Sequence, residues 1–281
     1  MATKQAAKPT PSKSTAIVKW DEELARAAKV AAAVEESTVT GNFFSLKGGI
    51  LAFNDAPVPN NEMAVIILDS VLENVYYEGK YDPDNVQGPL CFAFGREEKA
   101  MAPHKIVFES GNNQSDKCHG CEHNEWGSAE VGRGKACRNT RRLALIPAGT
   151  FENGRFKPFN DENQIETAPI AYMKLPVTSV KGYASHVKQL ANALSRPPHA
   201  VYTKVSVRPD PQTQFKVVFE PLSVIPNELL GVVFKRNDEA QKAIEFPYTP
   251  FEEAPAPQRG GRAAPLRGKS VTKKTVAKKR Y

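Results

Sequence analysis

The stretch MAVIILDSVLENVYYEG (63–79) decides the architecture. It is a run of β-branched and large apolar residues without proline, set off upstream by the breaker DAPVPNN (55–61), and it reads as one long strand that bends. Upstream, FFSLKGGILAF (43–53) reads as a second long strand. Downstream lies a loop-rich stretch of about sixty residues holding all four cysteines. Strand character resumes at RRLALIPAG (141–149) and again at IAYMKLPV (170–177). A helix, SVKGYASHVKQLANALS (179–195), is then broken by RPPH. Two strands follow, VYTKVSVRP (201–209) and QFKVVFEPL (214–222), joined by the turn DPQT. The chain closes on PNELLGVVFKRNDEAQKAI (226–244), a helix opened by Pro226 and Asn227, with Leu229, Leu230, Val233 and Ile244 in helical rhythm.

Strands, insertion, strand, helix, two strands and a closing helix is the order of an OB-fold, whose helix falls between its third and fourth strands. The expectation is therefore a mainly β chain: an OB-fold-like Greek-key barrel with a zinc-binding loop insertion (88–140) and flanking helices, spanning 38–253. A small β-sandwich carrying a helix has the same order of elements. Ahead of this body, WDEELARAAKVAAAVEES (20–37) has strong helix formers and early acids and reads as an N-terminal helix.

At 281 residues with 41% hydrophobic composition, the chain can bury a core without disulfide staples. It contains no apolar run of about eighteen residues, and its start lacks the apolar middle of a secretory signal. A cytoplasmic protein with no membrane partner is expected. The net charge of +7 invites a nucleic-acid partner, but its distribution matters more than its sum. Residues 254–281 hold nine cations and no acid, and 1–19 hold four cations, so 20–253 is left at about −6. Both termini are rich in Pro, Ala, Gly and Lys and read as disordered basic tails. Any phosphate grip by the body needs a local cluster. Residues 133–157 supply one, with Arg133, Lys135, Arg138, Arg141, Arg142, Arg155 and Lys157 against Glu152 alone.

The cysteines carry the most specific pattern. Cys118-x2-Cys121-x15-Cys137 has the close pair and longer return of a structural zinc site, with Cys91 27 positions before Cys118. Four thiolates complete a tetrahedral Zn²⁺ and leave no open position for catalysis. His104, His119 and His123 compete with Cys91 for the fourth place. A redox CxxC normally opens a helix of a βαβ unit, and an intracellular compartment disfavours disulfides.

Around the pair stand Trp126-Gly127-Ser128 and Gly132-Arg133-Gly134-Lys135-Ala136-Cys137-Arg138. Glycines admit a phosphate closely, cations neutralise it, and an aromatic ring offers a stacking face. Phe151, Phe156 and Phe159 beside Arg155 and Lys157 extend the pattern. Trp126 has an equally good alternative use, packed beneath the loop.

CxxC, then WGS, then GRGKACRNTRRLALIP, with PLCFAFG upstream, resembles a group of bacteriophage zinc-containing single-stranded DNA-binding proteins with an OB-fold core. The resemblance covers about 42–222. It implies coating of single strands in phage DNA replication or recombination in the host cytoplasm, without enzymatic turnover or a small-molecule substrate. It also implies Cys91, Cys118, Cys121 and Cys137 as zinc ligands, and other replication proteins as partners. The chain departs from the pattern at its end: many single-strand binders finish in an acidic tail, whereas this one finishes in nine cations, and its acidic-aromatic piece EFPYTPFEE (245–253) is internal. Two other functions fit less of the chain. A packaging protein would bind nucleic acid through its tails, and a zinc nuclease would draw on His119, Glu122, His123 and Asn124.

Overall fold

The computed structural model describes residues 42–79 and 87–248, together with Leu24 and Arg26, two exposed helical positions within the expected N-terminal helix. The rest of that helix, both basic tails and 249–253 of the acidic-aromatic piece lie outside the described residues. Among the described residues no helix is long and apolar enough to cross a membrane.

The strands are β1 (Asn42–Ser45), β2 (Ala52–Phe53), β3 (Ala56–Pro57), β4 (Glu62–Tyr76), β5 (Cys91–Gly95), β6 (Arg138–Pro147), β7 (Gly149–Glu152), β8 (Arg155–Pro158), β9 (Ala171–Leu175), β10 (Val201–Asp210) and β11 (Gln214–Val224). The helices are α1 (Lys105–Glu109), α2 (Glu162–Thr167), α3 (Val177–Leu194) and α4 (Leu230–Ala243). A mixed sheet runs β11-β10-β4-β6-β9-β1-β2-β3, with β5 paired to β4 beside this path. A small β7–β8 hairpin stands apart.

β4 organises the sheet. One edge pairs with β6 from Val65↔Pro147 to Val75↔Arg138. The other is divided, with Glu62–Val65 on β10 and Leu72–Tyr76 on β5. The register shifts between Ile67 and Asp69, which leaves Leu68 as the extra residue of a bulge, and a bulge bends and twists its strand. The bend expected in 63–79 therefore has a definite position. The freed Leu68 carbonyl accepts from Asn237 Nδ2 of α4 at 2.6 Å, so the bulge leaves no orphan there.

The second expected long strand, 43–53, is not one strand. Gly48 and Gly49 hold φ of 64° and 76°, two successive left-handed residues that break the extended run, and the chain turns through Lys47–Gly49 between β1 and β2.

Alternation gives the sheet two buried faces. On one, Val65, Ile67, Leu143, Leu145, Met173, Val205 and Val217 pack with Tyr183 of α3 and with Leu51. Leu51 precedes β2 while Val217 lies in β11, so the two ends of the sheet share one core. The sheet is thus curled, and the Gly49 turn meets the Phe215 side chain of β11. On the other face, Ala64, Ile66, Leu68, Ala144 and Ile146 pack with Leu229, Val233, Ala240 and Ile244 from α4 and its flanks, and with Ile165 of α2. Each of the larger side chains buried here contributes about 1.5–3 kcal/mol.

The chain is mainly β, and its curled sheet is compatible with a barrel-like fold. The closed barrel is a point of correction, because strand pairing leaves the sheet open among the described residues. β9 spends its edge on β1, with which it pairs in parallel. At β11 the backbone N–H of Val217 donates to Ser179 Oγ of α3 at 3.0 Å. Both edges that would close the barrel thus have other partners.

Candidate metal centre and nucleic-acid interface

The cysteine loop hangs from adjacent strand ends. Cys91 opens β5 directly opposite Tyr76 of β4, and Cys137 immediately precedes β6, whose Arg138 pairs with Val75. Cys118 returns to this point through its backbone N–H, which donates to the Met101 carbonyl at 3.0 Å. Buried Asn124 ties the CxxC turn to the sheet. Its backbone N–H donates to the Cys121 carbonyl at 2.9 Å and its Nδ2 to the Cys118 carbonyl at 2.8 Å. Its Oδ1 accepts from Asn139 Nδ2 at 2.9 Å and Lys135 Nζ at 3.3 Å, and Asn139 reaches Asn74 Oδ1 of β4 at 2.7 Å. Asn124 is therefore part of the loop's frame, which accounts for it without catalysis.

All four cysteines are free thiols and line one pocket of about 20 Å³, room for a single atom-sized guest. Among the described residues no three His, Cys, Asp or Glu side chains already stand as a finished metal site, so what is built is a shared pocket rather than a closed tetrahedron. Burial pushes the Cys137 thiol up to about 12, and Cys118, Cys91 and Cys121 add to the rise. Burial also raises Cys118, with Cys91 and Cys121 contributing, and raises Cys91, with Cys121 contributing. Thiols held this way are neutral at pH 7, the opposite of a redox CxxC. A divalent cation would deprotonate them and neutralise the thiolates so formed, so this donor set fits Zn²⁺.

The competing histidines separate. His104 caps α1, its Nδ1 accepting from the Ile106 N–H at 3.3 Å while its ring stacks on Phe92 at 5.2 Å. His119 is exposed. His123 shares the pocket with the thiols, stacked on Tyr76 at 4.1 Å, with Nε2 3.2 Å from Gln114 Oε1.

Trp126 is 77% exposed, so it does not pack beneath the loop. Lys135 Nζ lies 5.9 Å from its ring centre, Arg133 is exposed, and Arg138 lies 5.6 Å over Tyr77. The loop that presents them is pinned by the Gly127 N–H donating to the Gly134 carbonyl at 2.9 Å, and by Ser128 Oγ, which donates to the His123 carbonyl at 2.9 Å and accepts from the Ala136 N–H at 2.9 Å. Gly127 and Gly132, with φ of 89° and 86°, supply the left-handed turns. Glu122 and Glu130 are exposed on the same loop; after burial and Glu78, they help raise the Tyr76 phenol. The cation excess at this end is therefore smaller than the 133–157 count suggests.

The remaining cluster members do not converge here. Arg142 is 4% exposed: its Nε lies 3.0 Å from Glu73 Oε2, and its Nη1 donates to the Ile244 and Phe246 carbonyls at 3.0 and 2.8 Å. Its guanidinium is spent on the fold, and we remove it from the interface. Arg141, on the opposite face of β6, lies half-buried 5.5 Å over Tyr183, its Nη1 donating to Ser70 Oγ at 3.1 Å. Arg155, Phe156 and Lys157 belong to the β7–β8 hairpin beyond the other end of β6, roughly 30 Å from Arg138 by strand rise. There Phe156 packs on Tyr202 at 5.4 Å and Lys157 pairs with Glu152 at 3.2 Å.

A network that the sequence reading missed crosses the outer face of β4, β6 and β9. Fully buried Glu73 also takes Lys174 Nζ at 2.9 Å and the hydroxyl of Tyr248, while Phe246 packs 3.9 Å from the Arg142 guanidinium and 4.8 Å from Tyr172. The signal available was an acid inside an otherwise apolar strand, VLENV, which needs a buried partner. Comparison with known protein families, with curated proteins and with solved structures found no match for the chain.

Proposed function

We propose that the chain is a non-sequence-specific single-stranded DNA-binding protein with an OB-type core, acting in phage DNA replication or recombination, its binding loop braced by a structural zinc on Cys91, Cys118, Cys121 and Cys137. The observation that carries the reading is the exposed Trp126 ring, with Lys135 at its side and exposed Arg133 on the same loop, a loop anchored beside the pocket that the four cysteines line. An exposed tryptophan of this kind has no packing role, and it offers a base a stacking face worth about 1–3 kcal/mol. The cations neutralise the flanking phosphates, and sequence is not read because every base has such a face. The core supports the reading too: β4 pairs with both β6 and β10, β6 with β9, β10 with β11, and α3 falls between β9 and β10, the connectivity of OB strands one to five. Zinc, when bound, would supply closed four-thiolate coordination and rigidity, with no open position for chemistry.

Fluorescence anisotropy of the full chain with a labelled single strand and the matching duplex, across a salt series, tests the proposal. The expected result is preference for the single strand, and a salt slope that Arg133→Ala with Arg138→Ala lessens by about 1.4, roughly 0.7 per phosphate contact. Equal affinity for duplex and single strand, with no change in slope, would favour the packaging alternative, in which the basic tails do the binding.

A further inference from the structure

Three asparagine amides close a ring on Cys118. On β4 the Asn74 side chain hydrogen-bonds the Cys118 sulfur, and its Oδ1 accepts from Asn139 Nδ2 of β6 at 2.7 Å. The same Nδ2, which carries two hydrogens, also donates to Asn124 Oδ1 at 2.9 Å. Asn124 Nδ2 then returns to the Cys118 carbonyl at 2.8 Å. Asn74 and Asn124 are 4% and 9% exposed, so these bonds are costly to leave unmade.

A cation joins the ring from outside. Lys135 Nζ lies 3.3 Å from Asn124 Oδ1 and 5.9 Å from the centre of the exposed Trp126 ring. An ammonium is a strongly hydrated charge on a flexible stem, and confining it costs side-chain entropy. Here the stem is half-buried and a buried amide, itself fixed by both the cysteine turn and the sheet, is the acceptor that confines the charge. Asn124 thereby ties the geometry of the thiol pocket to the place of the cation that flanks the ring.

We propose that Asn124 is a positioning residue for strand binding, holding the Lys135 ammonium where the phosphate of a base stacked on Trp126 meets it. The inference rests on the single-strand reading. A cation already in place need not be ordered when the strand arrives, so the amide raises affinity without touching nucleic acid.

Two readouts test it in the full chain, on the wild type, Asn124→Ala, Lys135→Ala and the two together. The first uses fluorescence in a Trp20→Phe background, where Trp126 is the sole emitter. A positive charge beside the ring attracts iodide, so quenching by iodide relative to neutral acrylamide reports where the ammonium is. In Asn124→Ala, iodide quenching should fall toward the Lys135→Ala level with acrylamide quenching unchanged; a loop that had merely come apart would change both. The second is single-strand affinity, which should fall about threefold or more in each single variant, and no further in the double variant than in the weaker single, because Asn124 acts through Lys135. Iodide quenching unchanged in Asn124→Ala, a change in both quenchers, or affinity losses that add in the double variant would overturn the proposal. If Asn124→Ala fails to fold, the magnetic-resonance order parameter of the wild-type Lys135 ammonium, assigned with Lys135→Ala, decides alone: a value above those of the other lysines supports the proposal and an equal one overturns it. Quenching involves no nucleic acid and judges the positioning by itself, whereas absence of single-strand preference in the wild type would count against the single-strand reading.

Discussion

Arg142→Ala lowers the free energy of unfolding by about 3–5 kcal/mol, because it removes the partner of a carboxylate that has no contact with water. Glu73 is 0% exposed, and the Arg142 side chain is 5% exposed. The same guanidinium holds the Ile244 and Phe246 carbonyls and lies 4.3 Å from the Phe94 ring and 3.9 Å from that of Phe246. Its loss therefore strands three acceptors and loosens the segment after α4. Lys174 stays with Glu73 but is 39% exposed, and it replaces neither the buried charge nor the carbonyl contacts. Urea unfolding measures the difference. Glu73→Leu with Arg142→Leu should recover the part that the unpaired carboxylate costs, since two apolar residues leave no buried charge behind, but not the part carried by the Ile244 and Phe246 carbonyls. A loss below about 1 kcal/mol in the single variant would show that the pair is not the anchor described.

The sign of the pH dependence follows. Burial pushes the Glu73 carboxyl up, but Lys174, Arg142 and the Tyr248 hydroxyl outweigh it and hold it below the ordinary value of 4.5. A depressed folded value contributes stability that is fully present above the unfolded one and is lost as pH falls through the folded one. The stability that Glu73 contributes in the wild type is therefore complete near neutrality and is lost as pH falls below about 4.5.

If the four cysteines hold zinc as proposed, Cys137→Ser should abolish tight metal binding and disorder the loop it closes. A structural zinc site is worth about 10–16 kcal/mol, so the loss of one thiolate in four costs about 3 kcal/mol or more, at least a hundredfold in affinity. Elemental analysis of the purified chain should give one zinc per molecule, and Cys137→Ser should give little. Chelation should speed amide exchange across 118–138 while leaving β4 and β6 protected. Cys91→Ser and His123→Ala distinguish the fourth ligand: the first should lose the metal and the second keep it. Zinc at trace level in the wild type, or full occupancy in Cys137→Ser, would contradict the assignment.

The long strand at 63–79, the helix before the last two strands and both of those strands were legible, because strand and helix periods in apolar residues reflect burial directly. The bend of β4 was legible, but not its position, which depends on how β4 registers with β6. Gly48-Gly49 carried the signal that divides 43–53, and the strand reading passed over it. Charge counting failed at Arg142 because a count ignores faces. Period-two alternation puts Arg141 and Arg142 on opposite sides of β6, and both sides are buried. It failed again at Arg155 and Lys157, where a ten-residue strand turns closeness in sequence into distance in space. The meeting of four cysteines at one pocket was legible from their spacing. The exposure of Trp126 was not, since a tryptophan beside a turn packs or protrudes according to contacts made elsewhere.

The most direct test compares single-strand affinity, in the full chain, for Trp126→Ala with Arg138→Ala in the cysteine loop and for Arg155→Ala with Lys157→Ala in the hairpin. The account predicts at least a tenfold loss for the first pair, in line with about 1–3 kcal/mol per stacked base, and less than threefold for the second. A loss confined to the hairpin pair, or no loss from the loop pair, would contradict the claim that the cysteine-anchored loop is the surface that meets the strand.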